Sequence, residues 1–375
     1  MDSPLPEIRR SLLPLSWLYG IGVNIRNRLF DAKILKQHKF DIPVICVGNI
    51  TVGGTGKTPH IEYLIDLLSS RYKVAVLSRG YKRKSKGFKI VDVDSKPQDV
   101  GDEPLQIKQK FPEALVVVDK NRRSAIEKIQ SIDVEERPDV ILLDDGFQHR
   151  RVIPSLSILL VDSNRPVYED KLLPAGNLRE PLQGKDRASI VIVTKCSRDM
   201  QPIDFRIYEN GLDLFPYQDL YFTTFDYGDI TPVFPESQPE ILEPGDLRKK
   251  HVFLVTGIAS PQPLIEKLEL KTYNLYPKSF PDHHFFKEED IEEIKQEMGT
   301  VDVDDDDKII VTTEKDAIRF RALSFLDEGF KKRLYYIPIE VIFLEKTEKE
   351  SFNKKINKHV RSYQTNIRLS KKQDR

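Results

Sequence analysis

Apolar residues along this chain fall into short blocks of two kinds. Unbroken apolar runs recur at 43–48, 74–77, 114–118, 140–143, 156–161 and 190–193, lengths that suit strands buried on both faces. Between them lie stretches with helical spacing. Ile61, Leu64, Ile65 and Leu68 mark a helix over 59–70, and further helices are expected at 103–110 and 122–129. Strands alternating with helices imply βαβ units and a parallel sheet. After Thr194 the pattern weakens, and residues 198–245, rich in Pro and aromatics, read as containing a linker. Alternation then returns, with strands at 252–255, 272–275 and 309–311 and helices at 262–268, 288–298 and 314–323. These predict a second, smaller α/β domain. Asp302–Asp307 reads as a solvated acidic loop, the last ten residues as a frayed basic end, and no internal repeat is visible.

Residues 11–30 form a separate pattern. Leu15, Leu18, Tyr19, Val23 and Ile25 favour one side, Trp17 is the only tryptophan, and Arg26, Arg28 and Lys33 follow. An amphipathic helix of this kind lies either on a membrane surface or on the domain core, and the pattern alone leaves both open. The domains expected are thus an amino-terminal helix region (1–35), a larger α/β domain (36–215), a smaller one closing over the cleft (220–345), and a carboxyl-terminal helix with a basic tail (346–375).

Composition narrows the classes. The chain has 375 residues, 39% of them hydrophobic, and its charges cancel to a formal net charge of zero, which gives no global argument for nucleic acid as a partner. Two cysteines, Cys46 and Cys196, make neither a disulfide framework nor a zinc site. No apolar run reaches the roughly 20 residues a spanning helix needs. Pro14, Asn24, Arg26 and Arg28 interrupt the stretch after Arg9 and Arg10, so a secretory signal is not expected.

The strongest chemical signal is Thr51-Val52-Gly53-Gly54-Thr55-Gly56-Lys57-Thr58, between a strand and a helix. This is the context of a phosphate-binding P-loop: backbone N–H groups turn toward phosphate oxygens, Lys57 pairs with the β- and γ-phosphates, and Thr58 ligates Mg²⁺. Thr51 stands where the usual pattern has Gly. Val52 stands where dimerising ATPases of the G-G-x-G-K-T type carry a second Lys, so a monomer is expected. Thr194-Lys195-Cys196-Ser197 lacks the Asp that reads guanine, which favours ATP over GTP.

Five other segments add candidate chemistry. Asp144 and Asp145 end an apolar strand, as carboxylates holding Mg²⁺ do, but neighbours on a strand point to opposite faces unless the strand ends between them. Gly101-Asp102-Glu103-Pro104 opens a helix, where Asp102 is either a cap or a base for a hydroxyl proton. Ser78-Arg79-Gly80-Tyr81 follows the second strand at the edge where α/β ligands bind. In Leu173–Pro181, Arg179 and Glu180 are either a surface ion pair or a phosphate and metal contact. Phe280-Pro281-Asp282-His283-His284-Phe285 offers a histidine that either caps the next helix or reaches over the cleft.

Together the segments V-G-N-I-T-V-G-G-T-G-K-T, L-S-R-G-Y, G-D-E-P, L-D-D-G-F-Q-H, L-P-A-G-N-L-R-E-P, V-T-G-I-A-S-P, F-P-D-H-H-F and T-T-E-K-D resemble, in order, the tetraacyldisaccharide 4′-kinase family of lipid A biosynthesis. The resemblance runs from about residue 43 to residue 320. It implies a P-loop NTPase-type parallel sheet flanked by helices, a second smaller α/β domain and an amino-terminal amphipathic helix docked peripherally on the cytoplasmic face of the inner membrane. It implies transfer of phosphate from ATP, with Mg²⁺, to the 4′-hydroxyl of a tetraacylated glucosamine disaccharide 1-phosphate. Asp102 would be the general base paired with His283, with His284 adjacent to it. Asp144, Asp145 and Glu180 would belong to the metal site. Tyr81, Arg122, Gln148, His149 and Arg179 would line the substrate or phosphate site. The competing reading is a P-loop GTPase or metallochaperone switch.

Overall fold

The apolar runs pair into two sheets in a computed structural model that describes residues 8–373; the ends of the amino-terminal and carboxyl-terminal regions, 1–7 and 374–375, lie outside the described residues. The chain opens with helix α1 (Leu13–Asp31), then strand β1 (Val44–Gly48), helix α2 (Lys57–Ser69), β2 (Val74–Ser78) and the short β3 (Lys89–Ile90). A single turn, α3 (Pro97–Val100), leads into α4 (Asp102–Lys110), β4 (Leu115–Val118), α5 (Arg122–Gln130) and β5 (Val140–Asp144). Next come β6 (Leu156–Asp162), β7 (Ile190–Thr194), α6 (Pro202–Leu212) and β8 (Asp219–Tyr227). The second sheet follows with β9 (Thr231–Pro232), β10 (His251–Thr256), α7 (Gln262–Glu269), β11 (Asn274–Ser279), α8 (Glu288–Gly299), β12 (Lys308–Thr313), α9 (Glu314–Arg321), α10 (Glu328–Arg333) and β13 (Leu334–Ile337). Strand β14 (Ile339–Phe343) and helix α11 (Lys346–Gln373) complete the chain.

The first sheet runs β14-β8-β7-β6-β1-β5-β2-β4-β3, parallel except at its two edges, and the second runs β11-β10-β12-β13-β9. In the first sheet β1, β2, β5, β6 and β7 are buried at every position, which accounts for their unbroken apolar runs. The P-loop strand β1 is central, between β5 and β6. The phosphate loop and the Asp144–Asp145 tip therefore stand side by side at the carboxyl ends of neighbouring strands, where open α/β sheets bind ligands.

The sheets divide the chain differently from the expected 36–215 and 220–345. Residues 198–245 contain α6 and β8, and β8 pairs with β7 as a strand of the first sheet. The run D-L-Y-F-T-T-F-D-Y has its apolar character in aromatics and Thr, so it does not read as an aliphatic strand. The chain then leaves for the second sheet and returns through β14, where Glu340 pairs with Asp226. Helix α11 follows, and its Phe352, Ile356 and Val360 pack into the first sheet's core beside Phe343. The helix continues to Gln373 rather than fraying over the last ten residues. The acidic run 302–307 is partly a short 3₁₀ turn, with Asp305 paired to Lys308 and Arg333.

Helix α1 resolves one open choice. Its small and polar residues face the protein: the Ser16 hydroxyl donates to Leu172 O and accepts from Ala175 N, and Gly20 sits against Leu172. Phe30 near its end is buried at 3% exposure, but the apolar residues of the stripe face outward, with Trp17 70% exposed, Leu18 60%, Ile25 55% and Leu15 54%. The apolar stripe is not the face that packs on the core.

Candidate active site

The phosphate loop is held open by its neighbours. Asn49, fully buried, donates its amide to Thr55 Oγ1 at 3.0 Å and Thr51 Oγ1 at 3.4 Å. Thr51 also bridges to Leu178, Val52 N donates to Asn177 O at 2.8 Å, and Arg179 N donates to Ile50 O at 2.7 Å. The Thr51 departure thus has a structural account: residues 50–52 pair with residues 177–179, and a side chain at 51 is tied down where a free loop would take glycine. Gly56 enters α2 at φ 82°, a left-handed conformation, and a Cβ there would collide with the Phe225 ring. Under the loop, the buried His60 ring lies 2.8 Å from Gly56 O and 3.2 Å from Thr223 Oγ1, and burial lowers its pKa to about 4. A neutral imidazole with Nδ1–H on the carbonyl satisfies both contacts.

The two carboxylates face the same corner because β5 ends at Asp144 and Asp145 turns to φ 47°. Asp145 lies 3.6 Å from Lys57 Nζ and 3.3 Å from Arg179 Nη1. Burial raises the Asp145 pKa, but Lys57 and Arg179 more than offset this and hold it below its ordinary value. Asp144 accepts from Ser78 Oγ at 2.8 Å, and its pKa is pushed up to about 6 by burial and then by Asp145. Two adjacent carboxylates, one resisting ionisation, fit a divalent cation, whose charge would let both ionise. Mg²⁺ is ordinarily held by one or two carboxylates together with substrate phosphates, a role this pair of carboxylates is built to fill.

Glu180 keeps one carboxylate oxygen, Oε1, unpartnered. It is 1% exposed, takes Arg187 Nη2 at 2.7 Å and lies 3.5 Å from Asn27 of α1. Arg122 and Ser78, expected to touch substrate, are buried supports instead. Arg122 donates to Asp119 O and Asp144 O, and Ser78 to the Asp144 carboxylate. Gln148 donates to Asn49 O at 2.5 Å and accepts from Arg26 at its carbonyl. The half-buried His149 has its pKa lowered by burial and then by Arg122. Arg79 and Tyr81 are exposed beside the cleft.

Asp102 is built into a second corner. It starts α4 after Gly101, whose φ is 96° and where a Cβ would sit 3.1 Å from Gly80 Cα. This close approach of two glycines sets Asp102 beside the Arg79–Tyr81 loop. From the second unit, His283 reaches Asp102 Oδ2 with Nδ1 at 3.3 Å, and its ring lies 5.9 Å from Tyr81. Lys315 Nζ lies 3.2 Å from His283 Nε2 and 3.1 Å from Glu103. Arg319 Nη2 lies 3.3 Å from His283 Nδ1, so each ring nitrogen faces a cation that only donates, and Nδ1 faces Asp102 Oδ2 as well. His284 is placed elsewhere: Nε2 lies 2.8 Å from Asp290 at the start of α8, and its ring stacks on Phe280. The geometry separates the two histidines that the sequence leaves adjacent.

Several participants were not singled out from the sequence. Arg319 donates Nε and Nη2 to Asp102 Oδ2 at 3.1 and 2.7 Å. Its Nη1 reaches Gly257 O and Asp316 Oδ1. Lys110 of α4 pairs with Glu62 of α2 at 2.7 Å and Glu314 of α9 at 2.9 Å. Helix α9 is therefore bolted across α4 at both ends. The one sequence signal for this was T-T-E-K-D, whose role the spacing alone does not reveal.

Comparison with known proteins supplies the family. The family model described as tetraacyldisaccharide-1-P 4′-kinase matches residues 8–361. A tetraacyldisaccharide 4′-kinase of Phocaeicola vulgatus is 50% identical over 370 residues, covering 99% of this chain and 100% of the relative. One of Bacteroides thetaiotaomicron is 47% identical, covering 100% of this chain and 99% of the relative. The crystal structure of LpxK from Aquifex aeolicus in complex with ATP superposes with a TM-score of 0.72 at 30% identity, covering 94% of this chain and 99% of that one. On this evidence of sequence and fold along nearly its whole length, the chain belongs to the tetraacyldisaccharide-1-P 4′-kinase family.

Proposed function

We propose that the protein transfers the γ-phosphate of ATP to the 4′-hydroxyl of a tetraacylated glucosamine disaccharide 1-phosphate. The observation that carries the reaction type is the meeting of Asp102 and His283 across the two units, next to the Ser78–Gly80 segment that also holds Asp144. The loop's N–H groups and Lys57 would grip the β- and γ-phosphates, and Arg179 beside them would meet charge as it develops. Thr58, Asp144 and Asp145 would hold Mg²⁺, which neutralises phosphate charge when bound. Asp102 would take the proton of the attacking hydroxyl, and His283, 3.3 Å from its Oδ2, would orient it. Arg79 and Tyr81, exposed at the rim, suit a sugar phosphate. Gln148 and His149, just past the Asp144–Asp145 tip in the chain, would line the same site.

The lipid acceptor rests on the family and on α1. An outward stripe of Trp17, Leu15, Leu18 and Ile25 suits an interfacial helix that brings the cleft to acyl chains embedded in a bilayer. Among the described residues no helix is long and apolar enough to cross a membrane, which accords with peripheral attachment. The reading puts the protein at the cytoplasmic face of the inner membrane, where ATP and the lipid meet, and working as a monomer, since Val52 offers no cation to a partner's nucleotide. The test is purified protein with ATP and the tetraacyldisaccharide 1-phosphate in micelles. The expected product is a lipid heavier by one phosphate and modified at the 4′ position. Folded protein that hydrolyses ATP or GTP and leaves the lipid unchanged would instead favour a nucleotide switch.

A further inference from the structure

We infer that Arg319 is a positioning residue for Asp102, fixing which carboxylate oxygen meets the acceptor hydroxyl; this rests on the kinase reading above. All the contacts to Asp102 from the second unit fall on one oxygen. Oδ2 receives Arg319 Nε and Nη2 and lies 3.3 Å from His283 Nδ1, while Oδ1 has no protein donor among the described residues. A carboxylate oxygen held by two guanidinium donors is a poor proton acceptor, so the free oxygen is the one open to the hydroxyl proton. The 4′-hydroxyl oxygen forms the new bond to the γ-phosphorus as its proton passes to Asp102 Oδ1. The bond from that phosphorus to the β,γ-bridging oxygen breaks, and its electron pair leaves on ADP.

Arg319 can hold this orientation because it is itself over-determined. Its side chain is 2% exposed and that of Asp316 is 0%. Asp316 receives Gly257 N at 2.8 Å and Thr313 Oγ1 at 2.7 Å through Oδ2, and presents Oδ1 to Arg319. Gly257 also gives its carbonyl to Arg319 Nη1 and to His283 N. A Cβ on Gly257 would sit 3.1 Å from Asp316 Oδ1 and 3.4 Å from Arg319 Nη1, so a side chain there would crowd the bridge. The V-T-G and T-T-E-K-D segments, which sequence reading leaves without a task, thereby acquire one: they brace a guanidinium that aims the base. Only the planar fork of Arg serves Asp102 and Asp316 at once; a Lys ammonium is a single point.

The test is a double-mutant cycle. Arg319→Lys, Asp102→Asn and the pair are compared for kcat, for KM of ATP and of the disaccharide, and for melting temperature. Asp316→Asn, which keeps the shape and weakens the brace, supplies the same cycle if Arg319→Lys does not fold. The inference expects Arg319→Lys to lower kcat roughly 10- to 100-fold with KM for ATP unchanged. It expects the double variant to be no slower than Asp102→Asn alone, because Arg319 acts through that carboxylate. Losses that multiply in the double variant, or full kcat in Arg319→Lys and Asp316→Asn, would overturn it. No transfer by the wild-type chain would remove the kinase reading and this inference together; wild-type transfer with multiplying losses would remove the inference alone.

Discussion

The phosphate corner and the Asp102 corner are joined through the Ser78–Gly80 segment but are made in opposite ways. The phosphate corner is local: a strand, a glycine loop and a helix in unbroken order, braced by residues 177–179 through backbone pairing. The Asp102 corner is assembled from Gly101–Glu103, Gly257, His283 and Lys315–Arg319, with Asp102 separated from His283 by 181 positions in the chain and from Arg319 by 217. The first corner exists whenever the first sheet folds. The second exists only while the two units are docked. Binding of nucleotide and activation of the acceptor are therefore separable by mutation, and the separation can be attacked from either side.

The largest effect expected at the phosphate corner comes from Lys57→Ala. Removing one preorganised cation from the transferring phosphate should lower kcat/KM by roughly 10²–10³-fold and weaken ATP as well. Steady-state kinetics with equilibrium ATP binding checks this; a rate loss with full ATP affinity would blur the distinction between the corners. A medium effect concerns His60 beneath the loop. Its pKa is about 4 in the fold and 6.5 when unburied, so the unfolded chain takes up the proton first as pH falls. The stability associated with neutral His60 is complete above pH 6.5 and is lost progressively down to about pH 4. Between pH 7 and pH 5 this amounts to about 2 kcal/mol. His60→Gln, compared with wild type by urea unfolding at both pH values, should show that much less pH dependence. The smallest effect on turnover is expected at α1. Trp17→Glu with Leu18→Glu should reduce binding to anionic vesicles roughly tenfold or more in a sedimentation assay while leaving ATP affinity as it was.

The same contrast explains what could be read from the sequence. Lys57, Thr58 and the Asp144–Asp145 tip were legible because apolar runs and glycines fix their strand, loop and turn locally. The amino-terminal helix was legible as a helix, but its docking face was not, since Ser16 and Gly20 carry no hydrophobic signal. Strand β8 escaped although Tyr221–Phe225 has strand-forming residues, because it has no aliphatic run and lies in a Pro- and aromatic-rich stretch that reads as a linker. Arg319 escaped for a deeper reason. In the α9 pattern it is a charged residue between Ile318 and Phe320, and a lone sequence shows no sign that Asp102, far earlier in the chain, receives its guanidinium. Glu180 shows the converse: an Arg-Glu pair in a loop suggests a phosphate and metal contact, yet in the fold Arg187 and not a neighbour in that loop neutralises it.

The central claim is that Asp102 works on the acceptor and not on the nucleotide. Asp102→Asn, isosteric and uncharged, tests it most directly when ATP affinity and single-turnover phosphorylation of the disaccharide are measured on one preparation. The account predicts unchanged ATP affinity with a transfer rate lower by roughly 100-fold or more. Transfer at the wild-type rate, or a loss explained wholly by weaker ATP binding, would contradict it.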